Sequence, residues 1–121
     1  EYLEKAELVS VLRMKANGDA ILRKMDKLYL QNSNMSYVLS GENPDTGNAR
    51  ETIFYCWTKQ KYDTVESPIS DFEIDGKTFE VGGRNKGKKQ ISNLEDAYVV
   101  KDTIEYVFDN QVPLWMFGFL Y

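Results

Sequence analysis

Two acidic residues flank a tight-turn signal in the segment DFEIDGKTFE. Asp71 lies before and Glu80 lies after the Asp-Gly dipeptide at positions 75–76, and this dipeptide is among the strongest short-range signals for a β-hairpin. If positions 75–76 form the turn, Phe72 pairs with Phe79 and Asp71 pairs with Glu80. Because side chains alternate along a strand, the two phenylalanines share the predicted core face and the two acids share the other face.

The paired acids predict a site for a cation. Directly opposed hairpin residues have Cβ atoms about 4.5–5.5 Å apart, and like charges there destabilise the sheet unless a proton or a cation lies between them. Carboxylate oxygens are the ligands that Mg²⁺ prefers. The alternative is that Asp71 and Glu80 both point into water on an exposed face. A register shift of one residue would also break the pair.

A basic segment that contains glycine follows the second acid and reads VGGRNKGKK, at positions 81–89. Glycine lets a chain approach another backbone closely, so this loop suits contact with the phosphates of a nucleic acid. The alternative is a solvated, flexible connection between two elements. The cationic residues of the loop are Arg84, Lys86, Lys88 and Lys89.

The composition excludes several kinds of chemistry. No histidine is present, which excludes Ser-His-Asp and Cys-His catalysis and histidine metal ligands. Cys56 is the single cysteine, so no internal disulfide forms and a reducing, cytoplasmic setting is expected. The net charge of -4 argues against nucleic-acid binding over the whole surface but permits a local basic patch. The sequence contains no membrane-spanning run and no G-x-x-x-x-G-K-[ST] phosphate loop.

Hydrophobic periodicity and turn residues predict helices that alternate with short strands. Helices are predicted over 1–18, 20–24 and 50–60, with a last helix opened by Pro113. Strands are predicted over 27–30, 62–67, 71–74, 77–81 and 97–101, and the polar segments 31–34 and 41–48 are predicted to be a turn and a loop. This pattern places the 121-residue chain in the α/β or α+β class, as one domain with a mixed β-sheet flanked by helices.

Aromatic residues are expected to supply much of the core. In the helix predicted over 50–60, the apolar stripe consists of Ile53, Phe54 and Trp57. Core packing is also favoured for the aromatic C-terminus, and the alternative is a contact surface for a nucleic acid or a protein. The aromatic residues of that C-terminus are Trp115, Phe117, Phe119 and Tyr121.

The order helix-Glu, strand, strand-Asp, turn, strand-Glu, helix-Gln, strand resembles the core of the PD-(D/E)XK nucleases, which have the restriction-endonuclease-like fold. Within that superfamily the chain is similar to the C-terminal domain that follows the ATPase module in a group of bacterial and archaeal AAA-type ATPases of unknown function. The resemblance implies an αβββαβ core and covers nearly all of 27–121. Its blocks are KLYLQNSN, RETIFY, DFEIDGKTFEVGGRNKGKKQI, YVVKD and VPLWMFGFLY.

The resemblance implies a role for each of three acidic residues. Glu51 would be the catalytic carboxylate on the helix, although by itself it is also an ordinary acid in the first turn of a helix. Asp71 would be the central ligand of Mg²⁺ or Mn²⁺, and Glu80 would be the second ligand.

The resemblance also shows a departure from the pattern of active nucleases. In active members of the superfamily a lysine follows the last acid by two positions, on the same face of the strand, and here Gly82 occupies that position. A lysine of the following loop can replace the missing strand lysine, and Lys86 is the catalytic candidate for this role. Gln90 matches a position on the following helix where the superfamily often carries a polar residue.

Two functions are compatible with the resemblance. The first is metal-dependent hydrolysis of DNA or RNA by a domain at 27–121. Residues 1–26 would then be a helical segment that links this domain to a missing ATPase module, and only that module would bind ATP. The second is a catalytically inactive module for binding or assembly. Expected partners are a nucleic acid and the upstream ATPase domain, with oligomers allowed and no membrane contact. For the N-terminal helix, core packing is the alternative to a linker.

Overall fold

A five-stranded mixed β-sheet is the centre of the fold. The computed structural model describes residues 1–15, 27–87 and 91–120. Strands β3, β4 and β5 are antiparallel, whereas β5, β6 and β7 are parallel, and the strands lie side by side in chain order. The predicted mixed sheet with helices is therefore confirmed. The strands are β3 (Thr64–Glu66), β4 (Phe72–Ile74), β5 (Lys77–Gly82), β6 (Ala97–Lys101) and β7 (Gln111–Pro113).

The N-terminal segment contains a second, two-stranded sheet. After the short helix α1 (Tyr2–Lys5), strand β1 (Val9–Leu12) pairs antiparallel with β2 (Lys27–Leu30). The helix predicted over 1–18 is wrong for residues 6–15, because Glu7 adopts a positive φ of 55° that an α-helix does not continue through. Residues 16–26, including the helix predicted over 20–24, lie outside the described part of the chain. Leu12 is fully buried in the same core cluster as Phe54, so this segment contributes to the domain core.

Two helices follow β2, and each begins at a side-chain cap. Helix α2 (Ser33–Leu39), which the sequence did not predict, begins where the side chain of Asn32 accepts a hydrogen bond from the Asn34 amide. Helix α3 (Thr46–Thr58) begins at Asp45, whose side chain accepts from Asn48. Both residue types are favoured at this position because they satisfy amides that have no partner within the helix. The cap of α3 lies inside the segment predicted as a loop, so the helix begins earlier than expected.

The hairpin between β4 and β5 has the predicted register. Phe72 pairs with Phe79, and the two turn residues Asp75 and Gly76 have φ values of 49° and 78°. Positive φ at both central positions is the geometry of a type I′ turn, which matches the twist of the flanking strands. The DG dipeptide therefore determines which side chains of the hairpin face the core.

Replacing Gly76 by alanine is expected to lower the free energy of unfolding by about 1–2 kcal/mol, because a side chain at positive φ collides with its own backbone. Space is not the cause, since a Cβ at Gly76 would meet nothing within 4 Å. Urea denaturation measures the change. Asp75→Asn is the matched control, because asparagine tolerates positive φ, and it should leave stability nearly unchanged. An equally large loss of unfolding free energy in the control would mean that positive φ at Gly76 is not the cause.

Aromatic rings from α3, the sheet and the C-terminus form the main core. Phe54 is fully buried and its ring lies 4.9 Å from that of Phe72 and 4.8 Å from that of Phe117. The predicted stripe of α3 is only partly right, since Tyr55 is buried and Trp57 is more exposed.

The C-terminus turns from strand to helix at Pro113. That residue ends β7, a strand that the sequence did not predict, and a 3₁₀ helix (Leu114–Phe119) follows directly. Phe117 packs in the core, whereas Trp115 and Phe119 are exposed, so core packing holds for only part of the aromatic C-terminus. Within residues 1–15, 27–87 and 91–120, no helix is long and apolar enough to cross a membrane.

Candidate functional site

Glu80 is a buried carboxylate on the central strand β5. Its side chain is only 2% exposed, which contradicts the alternative that both hairpin acids point into water. Lys86 Nζ lies 2.6 Å from Oε1, and Ser70 Oγ donates a hydrogen bond to Oε2. A charge taken out of water is tolerated only when it is paired and hydrogen-bonded. The two contacts therefore hold Glu80 in a fixed orientation.

Asp71 lies immediately before β4, close to Glu80. Its Oδ2 accepts a hydrogen bond of 2.8 Å from the backbone amide of Val81 and lies 4.0 Å from Lys86 Nζ. Burial raises the pKa of Asp71 from its ordinary 3.8 to about 6, and the negative charges of Glu51 and Glu80 add to the rise, whereas the Val81 amide and Lys86 oppose it. The charges of Glu51 and Glu80 therefore act on Asp71, and the joint catalytic role of the three acids stays a prediction.

Lys86 extends back along the strand from the loop that follows β5. A Cβ built on Gly82 would lie 2.5 Å from Lys86 Cβ and 2.5 Å from its Cγ, far inside any real carbon contact. The glycine is therefore required for the lysine to lie where it does. The expectation that the Lys86 amine comes within a few ångströms of Glu80 is confirmed by the 2.6 Å contact.

The ammonium form of Lys86 is stabilised by its surroundings. Burial lowers its pKa, but the hydrogen bond to Glu80 and the charges of Asp71, Glu80 and Glu51 outweigh this, and the pKa is raised above its ordinary 10.5. Lys86 thus carries a positive charge at neutral pH. Its aliphatic part covers Gly82 while its charge lies between two carboxylates.

Glu51 reaches the site from helix α3. Its Oε2 accepts a hydrogen bond of 2.6 Å from the hydroxyl of Tyr29 on β2. Burial, the hydrogen bond to Glu51 and the nearby acidic charges raise the pKa of Tyr29, so the phenol keeps its proton and acts as the donor. This role of Tyr29 could not be predicted from the sequence, because its partner lies 22 residues away on another element.

Arg50 connects the helix to the ends of two parallel strands. Its Nε donates a hydrogen bond of 2.6 Å to Asp102 Oδ2, directly after β6. A Cβ at Gly83 would lie 3.1 Å from the guanidinium carbon, so the glycine leaves room for this group to pack under the loop. The second glycine of the pair thus accommodates Arg50, as the first accommodates Lys86.

The remaining predicted residues are only partly described. Arg84 is exposed, and its carbonyl accepts a hydrogen bond of 3.4 Å from Lys101 Nζ. Lys88, Lys89 and Gln90 lie outside the described residues, so their roles stay predictions. Ser70 is a contact that sequence reasoning missed, although it directly precedes Asp71 and a hydroxyl is a common partner of a carboxylate.

The chemistry of the donor set fits a divalent cation that keeps part of its water. Asp71 and Glu80 present carboxylate oxygens around one point of positive charge, and burial, with the charges of Glu51 and Glu80 adding to it, raises the pKa of Asp71. Mg²⁺ usually binds through one or two carboxylates with water or phosphate completing its shell. In the described ranges, no group of three or more Cys, Asp or Glu side chains has the spacing of a metal site. A two-carboxylate site is the arrangement that these residues fit.

Replacing Asp71 by asparagine is expected to stabilise the protein at pH 8 but not at pH 4. The folded state holds the Asp71 proton up to about pH 6, while the unfolded chain releases it near pH 3.8; wild-type stability therefore falls as pH rises through this window. This difference in the pKa of Asp71 corresponds to ~3 kcal/mol in the free energy of unfolding, and solvent screening reduces the effect to about 1–2 kcal/mol. Asparagine keeps an oxygen for the Val81 amide.

Urea denaturation of the wild type and Asp71→Asn at pH 4 and pH 8 measures this difference. The exposed Asp63→Asn is the matched control and should show the same small effect at both pH values. An Asp71→Asn effect that does not change with pH would mean that this carboxyl is not destabilised by its neighbours.

The fold and the site together define an α/β domain with a lysine-bridged pair of carboxylates at the central strand. Comparison of the chain with protein-family models, with curated proteins and with solved structures gave no significant match.

Proposed function

We propose that this domain is a metal-dependent nuclease of the PD-(D/E)XK type, in which Lys86 replaces the lysine that Gly82 removes from the strand. The single observation that carries the proposal is the path of Lys86, whose stem crosses Gly82 and whose Nζ lies 2.6 Å from Glu80. In the E-x-K pattern, acid and lysine share one face of a strand. Here the loop brings an amine to that face from four positions further along the chain.

The order of elements supports the proposal. Helix α3 is followed by the antiparallel strands β3, β4 and β5 and then by the parallel strand β6, in line with the αβββ-β part of the implied αβββαβ core. The second helix of that core would fall between Gly82 and Ala97. Residues 88–90 of this connection are outside the described part, and 91–96 form turns and a short irregular stretch.

The proposed roles follow from charge and position. Asp71 and Glu80 hold Mg²⁺ or Mn²⁺, and the ion, when bound, supplies charge neutralisation at the phosphate and an acidified water. Lys86 offsets negative charge that develops on the phosphate and orients the water by hydrogen bonding. Glu51 adds a third acidic group beside Asp71, placed to accept a proton. The desolvated setting of Glu80 strengthens each of these interactions.

The basic loop would bind the nucleic-acid backbone next to this site. In our proposal Arg84, Lys86, Lys88 and Lys89 supply phosphate contacts, which are a local exception to the net charge of -4. Phosphate contacts of this kind give affinity without base specificity, so DNA and RNA are both proposed substrates. Gln90, which lies outside the described residues, is a further candidate polar residue implied by the resemblance.

The wider context is also proposed from the resemblance. The chain would be the C-terminal domain of a cytoplasmic AAA-type ATPase, in which ATP binds only to the upstream module. The upstream ATPase domain, and further copies of the whole protein, would be its protein partners. Nucleotide hydrolysis upstream would then deliver or move the nucleic acid that this domain cuts.

A second candidate function is an inactive nuclease-like module for binding or assembly. One observation favours it, namely that the ammonium of Lys86 lies between the same two carboxylates that would hold the metal, at 2.6 Å from Glu80 and 4.0 Å from Asp71. An internal cation of this kind neutralises the acids without a metal. On this reading the basic loop would still bind phosphates, with an affinity that falls as salt rises.

A cleavage and binding assay separates the two functions. Purified domain is incubated with single-stranded and duplex DNA and RNA, with Mg²⁺, with Mn²⁺ or with chelator. The nuclease proposal expects weak cleavage with metal only, lost in Asp71→Asn. Salt-sensitive binding without cleavage supports the inactive module, and cleavage that survives Asp71→Asn would assign the activity to a contaminant or another site.

A further inference from the structure

The hydroxyl of Tyr29 extends from an aromatic cluster and donates a hydrogen bond to Glu51, a candidate site residue. Tyr29 is 3% exposed on β2, and its ring packs against Tyr55 at 5.5 Å and Phe72 at 5.9 Å between centroids. A buried phenol needs a hydrogen-bond partner, and its partner is Glu51 Oε2 at 2.6 Å.

The ring contacts fix where this hydroxyl points. The Tyr29 ring packs between Tyr55 on α3 and Phe72 on β4. These contacts restrict the orientation of the ring and therefore of its hydroxyl. Glu51 belongs to α3, and its side chain has several rotatable bonds whose freedom the hydrogen bond removes. The contact with Tyr29 uses Oε2 of Glu51, so it restricts the rotation of the carboxylate.

We propose that Tyr29 is a positioning residue, which fixes the orientation of the Glu51 carboxylate beside the Asp71–Glu80 pair. This inference rests on the proposed nuclease function. Tyr29 itself stays protonated and does not touch the substrate. Hydrogen-bond donors of this kind orient the groups that do the chemistry, and their loss typically costs about 10–100-fold in metal affinity or activity.

The chain supplies a matched control in the same aromatic cluster. Tyr55 is also buried, its ring also packs on Phe72, and its hydroxyl donates a hydrogen bond of 2.8 Å to the Val11 carbonyl. Removing that hydroxyl leaves Glu51 untouched. Tyr29→Phe and Tyr55→Phe therefore delete one buried hydroxyl each from one core, and only the first deletion reaches the site.

The test is a double-mutant cycle on two readouts, the cleavage rate at saturating substrate and the Mn²⁺ affinity in the absence of nucleic acid. Tyr29→Phe should lower the cleavage rate about 10–100-fold and weaken Mn²⁺ binding several-fold, while Tyr55→Phe stays within about twofold. In a Glu51→Gln background, Tyr29→Phe should add no further loss, because it acts through that carboxylate. Circular dichroism and urea unfolding confirm that the variants are folded.

The outcomes distinguish this inference from the proposed function. If the wild type cleaves, and Tyr29→Phe is equal to Tyr55→Phe or remains harmful when Glu51 is already glutamine, the positioning role is overturned and the nuclease stands. If the wild type binds Mn²⁺ without cleaving, the same comparison on Mn²⁺ affinity decides the role of Tyr29. A wild type that neither cleaves nor binds Mn²⁺ overturns both.

Discussion

Lys86→Ala is expected to reduce metal-dependent cleavage by about 10²–10³-fold, which is the usual cost of removing one group that stabilises developing negative charge. The same change should leave Mn²⁺ affinity unchanged or raise it, because the ammonium now lies 2.6 Å from Glu80 and competes with a cation for the same oxygens. Cleavage rates and Mn²⁺ titrations of the purified variants measure the two effects.

Lys86→Met and Lys77→Ala are the controls for this experiment. Methionine keeps an apolar stem over Gly82 and removes the charge, so it should behave like alanine in cleavage. Lys77 is exposed at the opposite end of β5, and its loss should change neither readout. Full cleavage by Lys86→Ala would remove Lys86 from the proposed chemistry and favour a lysine or glutamine of the neighbouring segment 88–90.

Gly82→Ala is expected to lower cleavage nearly as far as the loss of Lys86 does. The new Cβ would lie 2.5 Å from Lys86 Cβ, and because that atom is next to the backbone, the loop itself must move and carry the amine away from Glu80. Gly87→Ala is the matched control, since a Cβ there meets nothing within 4 Å. Equal activity of the two glycine variants would mean that the lysine does not need this path.

A lysine placed back on the strand provides the complementary experiment. Gly82 lies in β5 without a positive φ, so its backbone accepts a side chain once the Lys86 side chain, including its Cβ, is removed. The double variant Gly82→Lys with Lys86→Gly restores the E-x-K spacing and should cleave faster than Lys86→Gly alone. Gly82→Lys alone should be inactive, because both side chains then compete for one space. No recovery in the double variant would show that the loop contributes more than an amine.

The hairpin was predictable because local chemistry determines it. The DG turn specifies positive φ at two positions, and the turn specifies the register, so the pairing of Phe72 with Phe79 and the closeness of Asp71 and Glu80 followed from the sequence alone. The burial of Glu80 could not be predicted from the sequence. It depends on the elements that pack against the sheet, and a strand pattern does not show what packs on each face.

The N-terminal segment shows why other elements were not predictable. Leu8, Val11 and Leu12 have helical spacing, yet Val9–Leu12 forms β1 because β2 offers a partner strand and the core accepts Leu12. Tertiary pairing of this kind overrides a weak local preference. The contact of Tyr29 with Glu51 was beyond sequence reasoning for the same reason, since neither residue carries a local signal of the other.

The turn that returns Lys86 to β5 also restricts how the chain can change in length. The Lys86 amide donates a hydrogen bond of 3.0 Å to the Gly83 carbonyl, so the loop is one closed turn with a fixed number of residues. A single insertion or deletion between Glu80 and Lys86 would place a different side chain over Gly82. The segment 103–107 between β6 and β7 is exposed except for the half-buried Ile104, and it carries no candidate site residue. Length variation among related chains should therefore accumulate in 103–107 and be absent from 80–86.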